Sequence, residues 1–86
     1  MKNKDIIRET AVLVGVVTAE EAEELENKGM EIPFHTVAGW KQKGYSVKDD
    51  EAGTEVKLWK KKDGDNGFYL AKAYLYGRSQ VEEISD

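Results

Sequence analysis

The side chain best suited to proton transfer at neutral pH occurs once in this sequence: His35 is the single imidazole among 86 residues, and there is no cysteine. Without a second histidine or a thiolate, the usual nitrogen and sulfur donor sets for zinc, copper or iron cannot be assembled in one chain. The same absence removes disulfides and thiol nucleophiles, as expected of a reducing compartment. A triad in which His35 serves a Ser or Thr, with an Asp to orient it, is the one remaining nucleophilic arrangement, and no hydroxyl is singled out for it. Thr36, directly after His35, is accounted for as a helix cap, with His35 a partly buried neighbour. Asp49, Asp50 and Glu51 gather carboxylates but lack the alternating ligand positions of a calcium loop and fall where a polar turn is expected. Gly64 and Gly67 follow a lysine run but join two strands rather than opening a helix, so they offer no phosphate-binding dipole. The expectation is a non-enzymatic protein without catalytic residue, metal or cofactor.

Binding chemistry is better represented. Lys57, Lys60 and Lys61 flank Trp59, and Lys41, Arg78, Tyr74 and Tyr76 belong to the same stretch of chain. Lysine and arginine meet phosphates, and aromatic faces stack bases at about 1 to 3 kcal/mol each. The net charge of −4 conceals this. Residues 1–33 carry four basic and eight acidic side chains, residues 34–78 nine basic and six acidic, and residues 79–86 three acidic. Only the middle segment can attract a polyanion by its local field. Lysines at strand ends also discourage edge-to-edge aggregation, and most Trp and Tyr in small domains are core, so composition alone does not decide the matter.

The elements that position these residues can be read from periodicity and punctuation. Ile6, Ile7, Ala11, Leu13 and Val14 recur near helical spacing, predicting a helix over 4–14 that Gly15 ends. Thr18-Ala-Glu-Glu21 has the form of a capping box and starts a second helix over 19–28, closed by Gly29. Glu20, Glu21, Glu23 and Glu24 crowd its first turns, where the helix dipole favours them. Residues 30–34 should be extended around Pro33. Thr36 caps a third helix over 36–43, closed by Gly44, and Gly39 within it implies close approach to another backbone. From Tyr45 the period becomes two: strands are predicted over 45–48, 55–61 and 68–76, with a turn at 49–53 and a loop at 62–67. On the last strand Phe68, Leu70, Lys72, Tyr74 and Tyr76 share one face, while Ala71, Ala73 and Leu75 should pack under helices. Ser79 to Glu83 is expected to form a final helical turn.

Chains of this size bury only about 60 to 65 % of their unfolded surface, which fits one core and a single domain over residues 1–86. The predicted class is α+β: a small three-stranded antiparallel sheet made by two hairpins, packed with two to three N-terminal helices and a short C-terminal helical turn. No apolar run approaches the roughly 20 residues that cross a bilayer. Asp5, Arg8 and Glu9 interrupt any signal-peptide core, so a cytosolic protein without a membrane partner is expected.

Pro33 to Trp40, Gly44-Tyr-Ser-Val47, Gly53, Val56-Lys-Leu-Trp59, Ala73-Tyr-Leu-Tyr76 and Gln80-Val-Glu82 follow one another in an order that resembles the N-terminal domain of ArdC-type antirestriction proteins, over residues 33–83. That family is associated with single-stranded DNA binding in phage, plasmid and conjugative-element proteins, often joined to a metallopeptidase-like region. The resemblance therefore implies a small helix-packed antiparallel sheet and a nucleic-acid-binding module of a mobile genetic element. The family's Val-x-Lys-Gly-Glu-Lys-Gly turn is here Val47-Lys-Asp-Asp-Glu-Ala-Gly53, a change that weakens phosphate contact at that turn. No His-Glu-x-x-His motif is present to carry peptidase activity. The expected ligand is single-stranded nucleic acid, with Trp59, Tyr74 and Tyr76 stacking bases and Lys41, Lys57, Lys60, Lys61 and Arg78 meeting phosphates. The alternative is a protein-protein adaptor or inhibitor that presents the acidic helix and tail to a basic partner. Trp40, one turn after Val37, is expected to be buried.

Overall fold

Glycine stops and hydroxyl caps define the helical half of a computed structural model that describes residues 2–64 and 67–85. Helix α1 (Asn3–Leu13) is followed by Gly15 at φ +82°, and α2 (Ala19–Asn27) by Gly29 at φ +69°, both left-handed conformations that glycine adopts without a Cβ penalty. The Thr18 hydroxyl accepts from the Glu21 N–H at 3.0 Å, and the Glu21 carboxylate accepts from the Thr18 N–H at 2.9 Å, completing the expected capping box. A two-residue strand, β1 (Phe34–His35), precedes α3 (Val37–Gln42), where the Thr36 hydroxyl accepts from the Gly39 N–H at 3.1 Å. Gly39 does face a close neighbour, but it is a side chain: a Cβ there would lie 3.1 Å from that of His35.

The strands form an α+β fold with a three-stranded antiparallel sheet, as expected, but its membership differs. β3 (Thr54–Lys61) and β4 (Phe68–Gly77) make the one long hairpin, and β1 completes the sheet in the order β1-β4-β3. The predicted strand at residues 45–48, observed as β2 (Tyr45–Val47), does not hairpin with β3. It pairs instead with β5 (Val81–Glu83), Ser46 opposite Glu82. The predicted C-terminal helical turn is correspondingly shifted: Arg78–Gln80 is a short 3₁₀ turn, and Ser79 caps nothing. Gln80 rather than Ser79 organises this corner, its Oε1 accepting from the Gly77 N–H at 2.9 Å and its Nε2 donating to the Ala52 carbonyl at 2.9 Å. Of the expected loop at 62–67, Asp65 and Asn66 lie outside the described residues.

Alternation along the hairpin separates two faces. Val56 and Leu75 on one face are buried with Ala11, Val17, Ala22 and Phe34, and Ile7, Leu25, Leu58 and Ala73 pack against them. α1 and α2 thus cover the root of this face, as the pattern of Ala71, Ala73 and Leu75 anticipates. Trp40 sits at the β1 end, 3 % exposed, its indole N–H donating to the Tyr76 carbonyl at 2.8 Å. His35 and Tyr45 meet its ring edge-on, with centroids at 4.9 and 5.3 Å. The outer edge of β3 is held by a side chain: the Asn3 amide donates to the Trp59 carbonyl at 3.0 Å and accepts from the Trp59 N–H at 2.7 Å. Among the described residues no helix is long and apolar enough to cross a membrane.

Candidate nucleic-acid interface

The second hairpin face carries the side chains of interest. The register places Trp59 opposite Leu70, Lys57 opposite Lys72, Glu55 opposite Tyr74 and Lys61 opposite Phe68. Directly opposed residues share a face, so Trp59, Phe68, Leu70 and Tyr74 lie together with Lys57, Lys61 and Lys72. Among the described residues no helix covers the outer half of this face: Trp59 is 42 %, Phe68 65 % and Tyr74 47 % exposed. Such a row of large apolar side chains is unusual on a small folded domain and is characteristic of a contact surface. Within residues 54–77 five lysines stand against three acidic residues, a basic arm on an acidic protein. Glu55 is the acid on this face; it lies 3.7 Å from the Lys72 ammonium and accepts from the Tyr74 hydroxyl at 3.4 Å.

Of the residues expected to bind, Lys57, Trp59, Lys61 and Tyr74 are therefore brought together. Lys60 is not: it pairs with Tyr69 and points to the opposite face, as strict alternation requires. Tyr76 shares the face but is half-buried beneath the chain at Gly53, where an added Cβ would lie 2.8 Å from the ring. Arg78 is drawn to the other end of the molecule, its guanidinium 4.6 Å from the centre of the Tyr45 ring and donating to the Val81 carbonyl at 3.3 Å. Lys41 is exposed on α3 and not part of the hairpin. Phe68, Leu70 and Lys72 complete the face. Their common alternation with Tyr74 was the signal that could have selected them.

The turn between β2 and β3 has one unusual backbone position. Asp50 takes the left-handed conformation at φ +68°, where glycine is at ease and an aspartate is tolerated at some cost. Lys48 donates from its ammonium to the Ser79 carbonyl at 3.1 Å, which ties this lysine to the chain beneath the turn.

His35 has the environment of a packing residue. Burial holds its imidazole below the ordinary value of 6.5, opposed by the carboxylate of Glu31 and supported by the charge of Lys43. Glu31 is in turn held below the usual carboxylate range by the Lys43 ammonium, which donates to it at 2.8 Å. Among the described residues no group of three or more His, Cys, Asp or Glu side chains converges as a metal site would require. No protein-family model matches the chain, and neither curated proteins nor solved structures show a significant match to it.

Proposed function

We propose that this protein is a non-enzymatic module that holds single-stranded nucleic acid on the open face of the β3-β4 hairpin. The observation that carries the reading is the joint exposure of Trp59, Phe68 and Tyr74 on one sheet face with Lys57, Lys61 and Lys72. Stacking tolerates any base, and ammonium groups beside the aromatic row neutralise the phosphates without reading sequence. The reading agrees with the ArdC-like order of motifs and takes the protein to be a cytosolic product of a mobile genetic element. Lys41 and Arg78 are secondary in this scheme, and Lys60 and Tyr76 are peripheral to it.

The test is fluorescence polarisation with a labelled single-stranded oligonucleotide at low and moderate salt. Affinity should fall with a log-log slope of about −0.7 per phosphate neutralised. Lys57→Ala and Lys61→Ala should each flatten that slope, whereas Lys60→Ala, on the opposite face, should leave it nearly unchanged. Glu55→Gln should tighten binding by releasing Lys72 from its ion pair and removing the acid from the face. Absence of binding at low salt would sink the proposal and favour a basic protein partner for α2, whose Glu20, Glu21, Glu23, Glu24 and Glu26 are all exposed.

A further inference from the structure

We propose that the free edge of β4 pairs with the same edge of a second copy of this chain, giving a two-fold dimer in which the two β3-β4 hairpins join as one continuous four-stranded layer. The inference stands on backbone geometry and does not require the nucleic-acid reading.

The direction of each backbone group follows from the register. Trp59 exchanges hydrogen bonds with Asn3, away from β4, so Trp59 and Leu70 form a non-hydrogen-bonded pair. The N–H and C=O groups of Leu70 therefore point away from β3, and by alternation so do those of Phe68, Lys72 and Tyr74. β1 covers this edge only at Tyr76 and Gly77. Among the described residues no hydrogen bond reaches the outward groups of Phe68, Leu70, Lys72 or Tyr74. An exposed row of this kind, set among Phe68, Tyr69, Leu70 and Tyr74, is a template for another extended strand.

The length of the open stretch selects a second copy. It runs from Phe68 at the tip to Tyr74, where β1 begins to cover the edge, and its midpoint is Ala71. An antiparallel pairing with its two-fold axis at Ala71 sets Phe68 opposite Tyr74 of the partner subunit and Leu70 opposite Lys72 of the partner subunit. That register uses the whole open edge of both copies and stops where the β1 strand of each begins. It opposes no like charges directly, and the two alanines at the axis present the least bulk. The β3 edge is unsuited to the same role, because Asn3 occupies it at Trp59 and Lys57, Lys60 and Lys61 line it.

Sedimentation of the full chain across a wide concentration range, without nucleic acid, should show a monomer-dimer equilibrium. The two Lys72 side chains lie diagonally across the axis, so added salt should tighten the dimer, the opposite of its effect on oligonucleotide binding. Lys72→Pro removes an outward N–H and leaves the β3-β4 ladder intact; it should weaken the dimer roughly tenfold or more. Because the chain has no cysteine, Ala71→Cys provides a second readout independent of that proline. Opposed alpha carbons in such a pair lie about 4.5 Å apart, within disulfide reach, so mild oxidation should give a covalent dimer. Lys57→Cys, on the covered strand, should not. A chain that stays monomeric at all concentrations, or an Ala71→Cys variant that cross-links no faster than Lys57→Cys, would overturn the proposal.

Discussion

Trp40 and Trp59 are the same side chain in opposite circumstances, and the contrast divides the molecule. Around Trp40 everything is answered: its N–H has a carbonyl, its edges meet His35 and Tyr45, and the side chain is 3 % exposed. Around Trp59 the backbone is tied down while the side chain, 42 % exposed, lies on the open face with Leu70 and Phe68. The root of the fold uses its aromatic residues for cohesion. The hairpin arm extends them where they add little to folding, and such placement is informative because burial of large apolar groups is the main source of stability in a small domain.

The sharpest test of this division compares the two tryptophans. Trp40→Ala should lose about 3 to 5 kcal/mol of stability in urea unfolding, the range for truncating a buried aromatic. Trp59→Ala, at a half-covered position, should lose less, about 1 to 2 kcal/mol. The same variant should weaken oligonucleotide binding by about 1 to 3 kcal/mol. Equal destabilisation by both would abolish the distinction between root and arm.

Gly53→Ala probes the boundary between the two regions. Its Cβ would stand 2.8 Å from the Tyr76 ring and 2.9 Å from the Tyr74 Cβ, so the turn must lift off the sheet. A loss of about 1 to 3 kcal/mol is expected from overpacking, measurable by the same unfolding curves. Asp50→Gly should act in the other direction, gaining about 1 kcal/mol by relieving the left-handed conformation at φ +68°. An unchanged midpoint would mean that the aspartate makes a compensating contact.

The smallest effect concerns pH and belongs to the root alone. His35 is held below its ordinary value of 6.5 by burial, so the unfolded chain takes up a proton at higher pH than the folded one. Its contribution to stability is complete above that value and declines as pH falls below it. Unfolding midpoints at about pH 7.5 and about pH 5.5 should differ in that sense, and His35→Gln should reduce the difference. Glu31 shifts in the same direction from a lower starting value of 4.5, so its effect enters only in more acidic solution.

The parts of the fold that were readable in the sequence are those set by near neighbours. Gly15, Gly29 and Gly44 end helices, and Thr18 and Thr36 cap them, because a cap needs only an N–H three residues away. The inward set Ala71, Ala73 and Leu75 was readable for the same reason, since alternation is local. β1 and β5 were not readable: strands of two and three residues have no period of their own and exist because Tyr76 and Ser46 offer partners far along the chain. The candidate site divides likewise. Lys57, Trp59, Lys61 and Tyr74 follow from a strand register. The burial of Tyr76 depends on Gly53, and the diversion of Arg78 on Tyr45, neither visible without the fold. Lys60 was misplaced for a simpler reason, its proximity in sequence outweighing the parity that sends it to the other face.

Asn3 brings a consequence for how this chain behaves in company. Its carboxamide imitates one residue of a neighbouring strand, satisfying the Trp59 backbone from the flank. With Trp59 answered by Asn3 and lysines beside it, the proposed pairing through β4 would favour closure after two copies over further addition at β3. Asn3→Ala would free the Trp59 groups, and Lys57, Lys60 and Lys61 would then be the remaining guard against a further strand on that flank. One small amide and three lysines thus share the task of keeping the proposed assembly finite.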